Sequence, residues 1–243
     1  MRGFIVVCVA LLIGGAAVAM SELTEEKTYS WRYRMTVNVE TPEGLKSGSG
    51  VREVEVTFKP RPGYSPNPYH ASHRMRGEAV PVDLGERGVL FALITFDSYP
   101  EVTSTFEGPP AFTLEGAEFY SALKNAKATL DPLRYPSYPG LVTFVDPDDP
   151  KSVQSVMTFK RTGRLKDGTF AVAEDRTEEL FGEGVRIESI TVEMTDDPVD
   201  WGRVDAFFPD NFWESFGEWW KSLDMRERSR LAHNFSFKTG EQK

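Results

Sequence analysis

Two histidines, His70 and His73, are the side chains in this sequence best placed to bind a metal ion. On a helix, their spacing would put both imidazoles on one side, where they could ligate zinc. A zinc site needs at least three protein ligands, and the surrounding sequence supplies no evident third one. Solvated loop histidines are therefore the favoured interpretation. A metal-dependent hydrolase using His70, His73 and a nearby carboxylate is kept as an alternative.

Other short motifs favour structure over catalysis. Residues 146–150 concentrate carboxylates that a calcium ion could bind, but a proline on each side indicates a stiff turn. Residues 47–50, with the sequence SGSG, come nearest to a serine nucleophile elbow, yet they lack its spacing and predict a flexible or bulged strand edge. The sequence contains no phosphate-binding loop and no zinc-protease helix motif. We therefore predict no catalytic residue and no cofactor.

The strongest periodic pattern lies near the C-terminus, where large apolar residues recur at helical spacing. We expect Asn211 to cap this helix, with Glu214 completing a capping box. The apolar stripe could cover an open sheet face, or it could form a surface that binds a partner or a membrane. Acidic neighbours favour a protein partner over an anionic bilayer. The candidate partner-binding face consists of Phe212, Trp213, Phe216, Trp219 and Trp220.

Composition narrows the class of partner. The 243 residues carry a net charge of -9, and such a surface repels phosphate backbones, so nucleic acid is not an expected partner. Cys8 is the single cysteine, which excludes an intramolecular disulfide and a thiolate zinc cage.

The N-terminus has the pattern of an export signal. Residues 3–21 carry no charge, Arg2 precedes them, and the small residues Ala17 and Ala19 suit signal peptidase. Residues 1–19 are therefore predicted to be a cleaved signal peptide or a membrane anchor. Either one would place the remainder outside the cytoplasm, as a periplasmic, secreted or inner-membrane-anchored protein. Contact with the membrane is expected through this segment if it is not cleaved.

Alternating apolar residues predict strands in the first half of the chain. Residues 29–58 predict a hairpin that turns at Pro42, and the out-of-phase Val51 suggests a bulge near Arg52. Four prolines predict a surface loop over residues 59–77. With a further alternating strand at 80–84 and a nearly continuous apolar strand at 89–96, we expect one four-stranded antiparallel sheet over residues 29–97.

The second half predicts a mixture of elements. Expected are a helix over 115–130, a strand over 141–145, a hairpin from 153–160 and 169–173, a short helix over 175–181 and a long strand over 185–195. The fold class is therefore α+β, an antiparallel β-sheet with helices packed on one face, preceded by an N-terminal hydrophobic helix. We divide the chain into the segment 1–19, a β-rich domain over 28–199 and an aromatic amphipathic helix and tail over 200–243.

Several stretches resemble a family of exported or membrane-anchored proteobacterial proteins. They are WRYRMTVNV at 31–39, GEAVPVDLG at 77–85, LVTFVDPDDPKSV at 141–153, GVRI at 184–187 and ITVEMTDDPV at 190–199. The family has an N-terminal hydrophobic segment and no known activity, so the resemblance implies export and assigns no catalytic role. The chain departs from the family around residues 157–173 and in its aromatic C-terminus.

These observations lead to one expected function and two alternatives. We expect a non-enzymatic cell-envelope protein that binds another envelope protein or a ligand. The alternatives are the metal-dependent hydrolase described above and a structural domain of an envelope assembly.

Overall fold

A computed structural model describes residues 25–61, 68–95, 100–103, 105–132, 138–162, 170–232 and 235–240. The chain is an α+β protein with antiparallel sheets and few helices, as predicted. The predicted signal peptide or hydrophobic helix over residues 1–19 lies outside the described residues.

The elements are numbered along the chain. The strands are β1 (Lys27–Thr41), β2 (Gly44–Pro60), β3 (Tyr69–Glu78), β4 (Val80–Asp83), β5 (Val89–Ala92), β6 (Ile94–Thr95), β7 (Lys127–Thr129), β8 (Leu141–Phe144), β9 (Val153–Ser155), β10 (Met157–Arg161), β11 (Phe170–Asp175), β12 (Arg186–Met194), β13 (Phe235–Ser236) and β14 (Lys238–Thr239). The helices are α1 (Pro100–Thr103), α2 (Leu114–Ala122), α3 (Thr177–Phe181), α4 (Phe212–Ser222) and α5 (Met225–Ala232).

Two main sheets contribute to one hydrophobic core. The larger has six strands in the order β14-β3-β2-β1-β12-β7, and the smaller has the order β4-β5-β8-β9. Apolar side chains from both sheets pack in the same cluster, including Tyr33, Val54, Leu90 and Leu141. Two short pairs, β10-β11 and β13-β6, complete the arrangement.

The predicted hairpin is confirmed, but the predicted bulge near Arg52 is wrong. The β1–β2 register runs without interruption from Lys27–Phe58 to Thr41–Gly44. Arg52 occupies an inward-facing position together with the glycines before it, so Val51 lies on the other face. Val51 is buried there, and its N–H donates to a carboxylate oxygen of Asp200 at 2.9 Å. The alternation of apolar residues wrongly predicted a bulge, because the charged residue Arg52 fills a core position.

The predicted single sheet over residues 29–97 is also wrong, because its strands divide between the two sheets. After β3 the chain crosses onto the inner face of β2, and β4 lies over Gly48 and Gly50. A side chain at Gly48 would meet the Pro81 carbonyl oxygen at 1.9 Å. The glycines of the SGSG motif thus allow two backbones to approach closely, and the motif forms a regular part of β2.

Two further element boundaries differ from the prediction. The loop expected over 59–77 contains β3, which pairs with β2 from Pro60–Tyr69 to Glu53–Arg76. The helix expected over 115–130 ends at Ala122, because the backbone becomes extended at Leu123 (ψ 127°). Asn125 then adopts a left-handed conformation (φ 54°), and β7 follows. The α2 helix packs on the inner face of β1, with the Tyr120 and Trp31 rings 5.6 Å apart.

The remaining predicted elements are present close to their expected positions. They are β8, the β10–β11 hairpin, α3 with Gly182 after it at φ 100°, and β12. The acidic run after β8 is a turn, as predicted. In it the Asp146 and Asp149 carboxylates accept backbone N–H groups from Asp148 and Lys151.

An ion pair joins the tip of the β1–β2 hairpin to the turn between β4 and β5. Arg87 donates two hydrogen bonds to the Glu43 carboxylate, at 2.8 and 3.1 Å, and a third to the Phe181 carbonyl at 2.9 Å. The hydrogen bonds from Arg87 lower the pKa of Glu43 to about 2. Arg87 therefore connects three separate turns through charge-assisted hydrogen bonds.

Replacing Glu43 with glutamine should change the acid limb of the stability curve. An acid whose pKa is lowered by folding stabilises the fold above its unfolded pKa, about 4.3, and loses this contribution as the pH falls through its folded pKa. The wild type should therefore lose stability between about pH 4 and pH 2 more steeply than Glu43→Gln, measured by urea unfolding at each pH. Glu86→Gln, at an exposed acid of the neighbouring turn, should retain the wild-type slope. Equal slopes in Glu43→Gln and wild type would contradict the role of this pair.

Candidate protein-binding face

The aromatic helix α4 forms over the predicted residues, but without the predicted cap. Asn211 makes no side-chain hydrogen bond to the helix, so the capping box with Glu214 is absent. The helix starts instead from a turn in which the Phe212 N–H donates to the Pro209 carbonyl at 2.9 Å. Ring packing holds its first turn in place.

A cluster of aromatic rings lies beneath α4 and connects it to the smaller sheet. Phe212 stacks on Phe208 at 4.1 Å and meets Phe144 of β8 edge-on at 5.2 Å. Phe208 in turn stacks on Phe91 of β5 at 5.4 Å. Such pairs add about 0.5–1.5 kcal/mol each beyond the apolar area they bury. The buried side of α4 is therefore part of a second core, which also contains Phe237.

Polar contacts fix the helix at one edge of this cluster. The Trp213 indole N–H donates to Asp205 at 2.6 Å, and the Lys238 ammonium pairs with the same carboxylate. Lys238 also lies 5.5 Å from the centre of the Trp213 ring, within range of a cation–π contact. Burial alone would raise the pKa of Asp205, but the hydrogen bonds from Lys238 and Trp213 outweigh it and hold this pKa below its usual value.

The segment before α4 is anchored by Glu78 at the end of β3. Its buried carboxylate accepts backbone N–H groups from Gly202, Arg203 and Val204 at 3.1, 2.9 and 3.4 Å. Lys238 approaches the same carboxylate at 3.9 Å. These bonds satisfy a buried charge and set the direction in which the chain enters α4.

The structure divides the five predicted face residues into two groups. Phe212 is only 2% exposed and belongs to the core beneath the helix. Trp213, Phe216 and Trp219 are partly exposed and pack against that core from its rim. Trp220 is partly exposed and contacts the rings of Phe216 and Trp219 on its own helix. The stripe thus covers the smaller sheet and also presents indole rings to solvent.

Charged residues border these rings on the solvent side of α4. Asp210, Glu214, Glu218 and Lys221 are exposed, and none of them has an ion-pair partner in the part of the chain that the structure describes. A groove of about 260 Å³ beside Trp213 is lined by Asp205, Phe208, Pro209, Asp210, Trp213 and Lys238. Exposed aromatic rings bordered by a polar rim are typical of protein-binding surfaces.

The two histidines do not come together as a metal site. His70 and His73 both lie on β3, where an odd spacing directs side chains to opposite faces of the strand. Within the described residues, no group of three or more His, Cys, Asp or Glu could hold a metal ion. The prediction that the two histidines lie in a loop is wrong, because they lie on a strand. Their geometry gives no support to a hydrolase that uses both histidines.

Some residues that shape the face were missed from the sequence. Lys238 and Asp205 are distant in sequence, and nothing in the pattern pairs them. Gly217 could have been singled out from the sequence. Glycine is unfavourable within a helix, and this one interrupts the most regular helical pattern of the sequence.

Comparisons with protein-family models, curated proteins and solved structures found no match to this chain. Within the described residues, no helix has the length and apolar character needed to span a membrane.

Proposed function

We propose that this chain is a non-enzymatic binding module of the cell envelope, which recognises another protein through the solvent side of α4. The observation that carries the proposal is the Trp220 ring. It is partly exposed, and its indole N–H has no acceptor among the described residues. Tryptophan is the side chain most enriched at protein-binding hot spots, because one ring supplies a large apolar area and a hydrogen-bond donor.

The charges around the helix favour a protein over a lipid surface. Exposed carboxylates of Asp210, Glu214 and Glu218 adjoin the rings. An anionic bilayer would repel them, whereas a protein can place cationic groups opposite them.

The proposal includes export by the N-terminal segment. Residues 1–19, as a signal peptide or as a hydrophobic anchor helix, would deliver the described domain outside the cytoplasm. N-terminal mapping by mass spectrometry of the protein from the periplasmic and membrane fractions tests this. We expect either a start just after Ala19 or an intact N-terminus in the membrane fraction. Recovery of the intact chain as a soluble cytosolic protein would refute export.

Site-specific photo-crosslinking in cells tests the binding face. A photoreactive amino acid at Lys221, next to Trp220, should give a discrete adduct, because a bound partner would lie against this turn of α4. The adduct should diminish several-fold when Trp220→Ala is added, since the main apolar contact is then lost. The control position is Ser30, an exposed residue on the outer face of β1. No adduct at Lys221, or the same adduct at Ser30, would contradict the proposed face.

A further inference from the structure

Gly217 has no role within the described chain that requires a glycine. It lies in the middle of α4 with no positive φ, where alanine would be more stable because glycine gains more freedom on unfolding. A Cβ atom at this position would meet nothing within 4 Å. The missing side chain leaves helix backbone open to solvent, and another backbone can approach closely there.

The four side chains around Gly217 are those at helical neighbour spacing, Trp213, Glu214, Trp220 and Lys221. Glu214 and Lys221 are exposed and have no ion-pair partner in the described residues. The Trp220 N–H is equally without an acceptor there, and the Trp213 ring is partly exposed. The surface around the glycine therefore contains one cation, one anion, one free donor and two aromatic rings.

This set is complementary to itself under a two-fold rotation. When two copies of α4 cross antiparallel at Gly217, each residue opposes the one equally far on the other side of the glycine. Trp213 then faces Lys221 of the second copy, and Glu214 faces its Trp220. The first pair can form a cation–π contact, and the second can form a hydrogen bond from the indole N–H to the carboxylate. Each pair occurs twice, as in any isologous interface.

We infer that the partner bound by the solvent side of α4 is a second copy of this chain, docked antiparallel about Gly217. The inference rests on the proposed function of the same face and names its occupant. Complementarity selects the second copy, because the two-fold axis exchanges the unpaired Lys221 with the Trp213 ring and the unpaired Glu214 with the Trp220 N–H donor. A single helix pair buries a modest area, so the dimer forms reversibly.

The first test is sedimentation equilibrium of the full chain, purified as it is recovered from cells, over micromolar to sub-millimolar concentrations. The apparent mass of the wild type should rise towards twice the monomer mass. Gly217→Gln should remain monomeric, because a side chain there separates the helices, and circular dichroism should show that its helix content is retained. Ser215→Gln, on the opposite side of α4, is the matched control and should associate like the wild type.

The second test reports the geometry. In a Cys8→Ser background, Gly217→Cys should form an intermolecular disulfide on mild oxidation, because the two copies of residue 217 lie closest to the axis. Ser215→Cys should form several-fold less. A wild type that stays monomeric, or equal crosslinking at both positions, would overturn the dimer. If the Lys221 adduct to a different protein persists in cells while the purified chain stays monomeric, the binding face stands and the second copy is rejected.

Discussion

Gly48→Ala is expected to destabilise the protein by about 3 kcal/mol or more, at the upper end of what overpacking costs in a core. The added methyl group would lie 1.9 Å from the Pro81 carbonyl oxygen, and that oxygen belongs to backbone and cannot rotate away. The two sheets would have to separate where β4 crosses β2. Urea unfolding followed by circular dichroism measures the change as a lower midpoint.

Gly50→Ala is the matched control, because it makes the same chemical change two residues further along β2. Its Cβ would lie 3.4 Å from a methyl group of Val80, which is an ordinary contact. Because the φ of Gly50 is not positive, alanine fits its backbone, and we expect this variant to stay within about 1 kcal/mol of the wild type. Equal losses in both variants would show that the SGSG segment is sensitive to any substitution, and the close crossing would not explain it.

The same crossing explains why the sequence predicts the strands better than the sheets. Alternation locates β1, the second half of β2 and β4, and a nearly continuous apolar run locates β5. Neither pattern indicates which strands share a sheet. That assignment depends on a backbone contact between Gly48 and Pro81, residues far apart in sequence, and glycine in a strand is equally consistent with a flexible edge.

Two boundary errors also have local physical causes. Prolines over residues 60–68 predicted a loop, and the alternation of β3 begins just beyond them, where it was hidden by the charged and polar residues of an exposed strand. The helical pattern continued past Ala122, but the backbone becomes extended at Leu123, and Asn125 then takes a left-handed conformation that asparagine tolerates better than most residues.

The sequence predicts the candidate face but not which of its residues are buried and which are exposed. Helical spacing identified all five aromatic residues of α4. Contacts with Phe91 and Phe144 of the smaller sheet determine which of these residues lie beneath the helix. The hydrogen bond and ion pair that Asp205 makes with Trp213 and Lys238 contribute as well. These contacts join segments that are far apart in sequence, so the periodicity of the sequence cannot predict them.

Arg52 is the least predictable core residue, and it joins the two sheets from within. It is fully buried, and its guanidinium donates to the carbonyl groups of Glu78, Ala92 and Leu93 at 3.1, 2.8 and 3.3 Å. The equally buried Glu101 carboxylate of α1 lies 3.8 Å from Nη1. Burial raises the pKa of Glu101, and the charge of Arg52 opposes this shift.

Replacing Arg52 with methionine should lower the free energy of unfolding by about 3–5 kcal/mol, because one member of a buried ion pair is left alone. The loss should depend on pH. An acid whose pKa is raised by folding stabilises the fold below its unfolded pKa, about 4.3, and loses this contribution as the pH rises through its folded pKa. Without Arg52 the pKa of Glu101 rises further, so Arg52→Met should be more destabilising at pH 8 than at pH 5. Urea unfolding at both pH values measures the difference.

The double variant Arg52→Met/Glu101→Gln separates charge from packing. It removes the buried carboxylate together with its counterion, so at pH 8 it should be more stable than Arg52→Met alone, and its stability should vary less with pH. Arg34→Met, which breaks a solvent-exposed ion pair with Asp197, should cost no more than about 1 kcal/mol. If the double variant were no more stable than Arg52→Met at pH 8, the loss would come from the three unpaired carbonyl groups, and the ion pair would contribute little to joining the sheets.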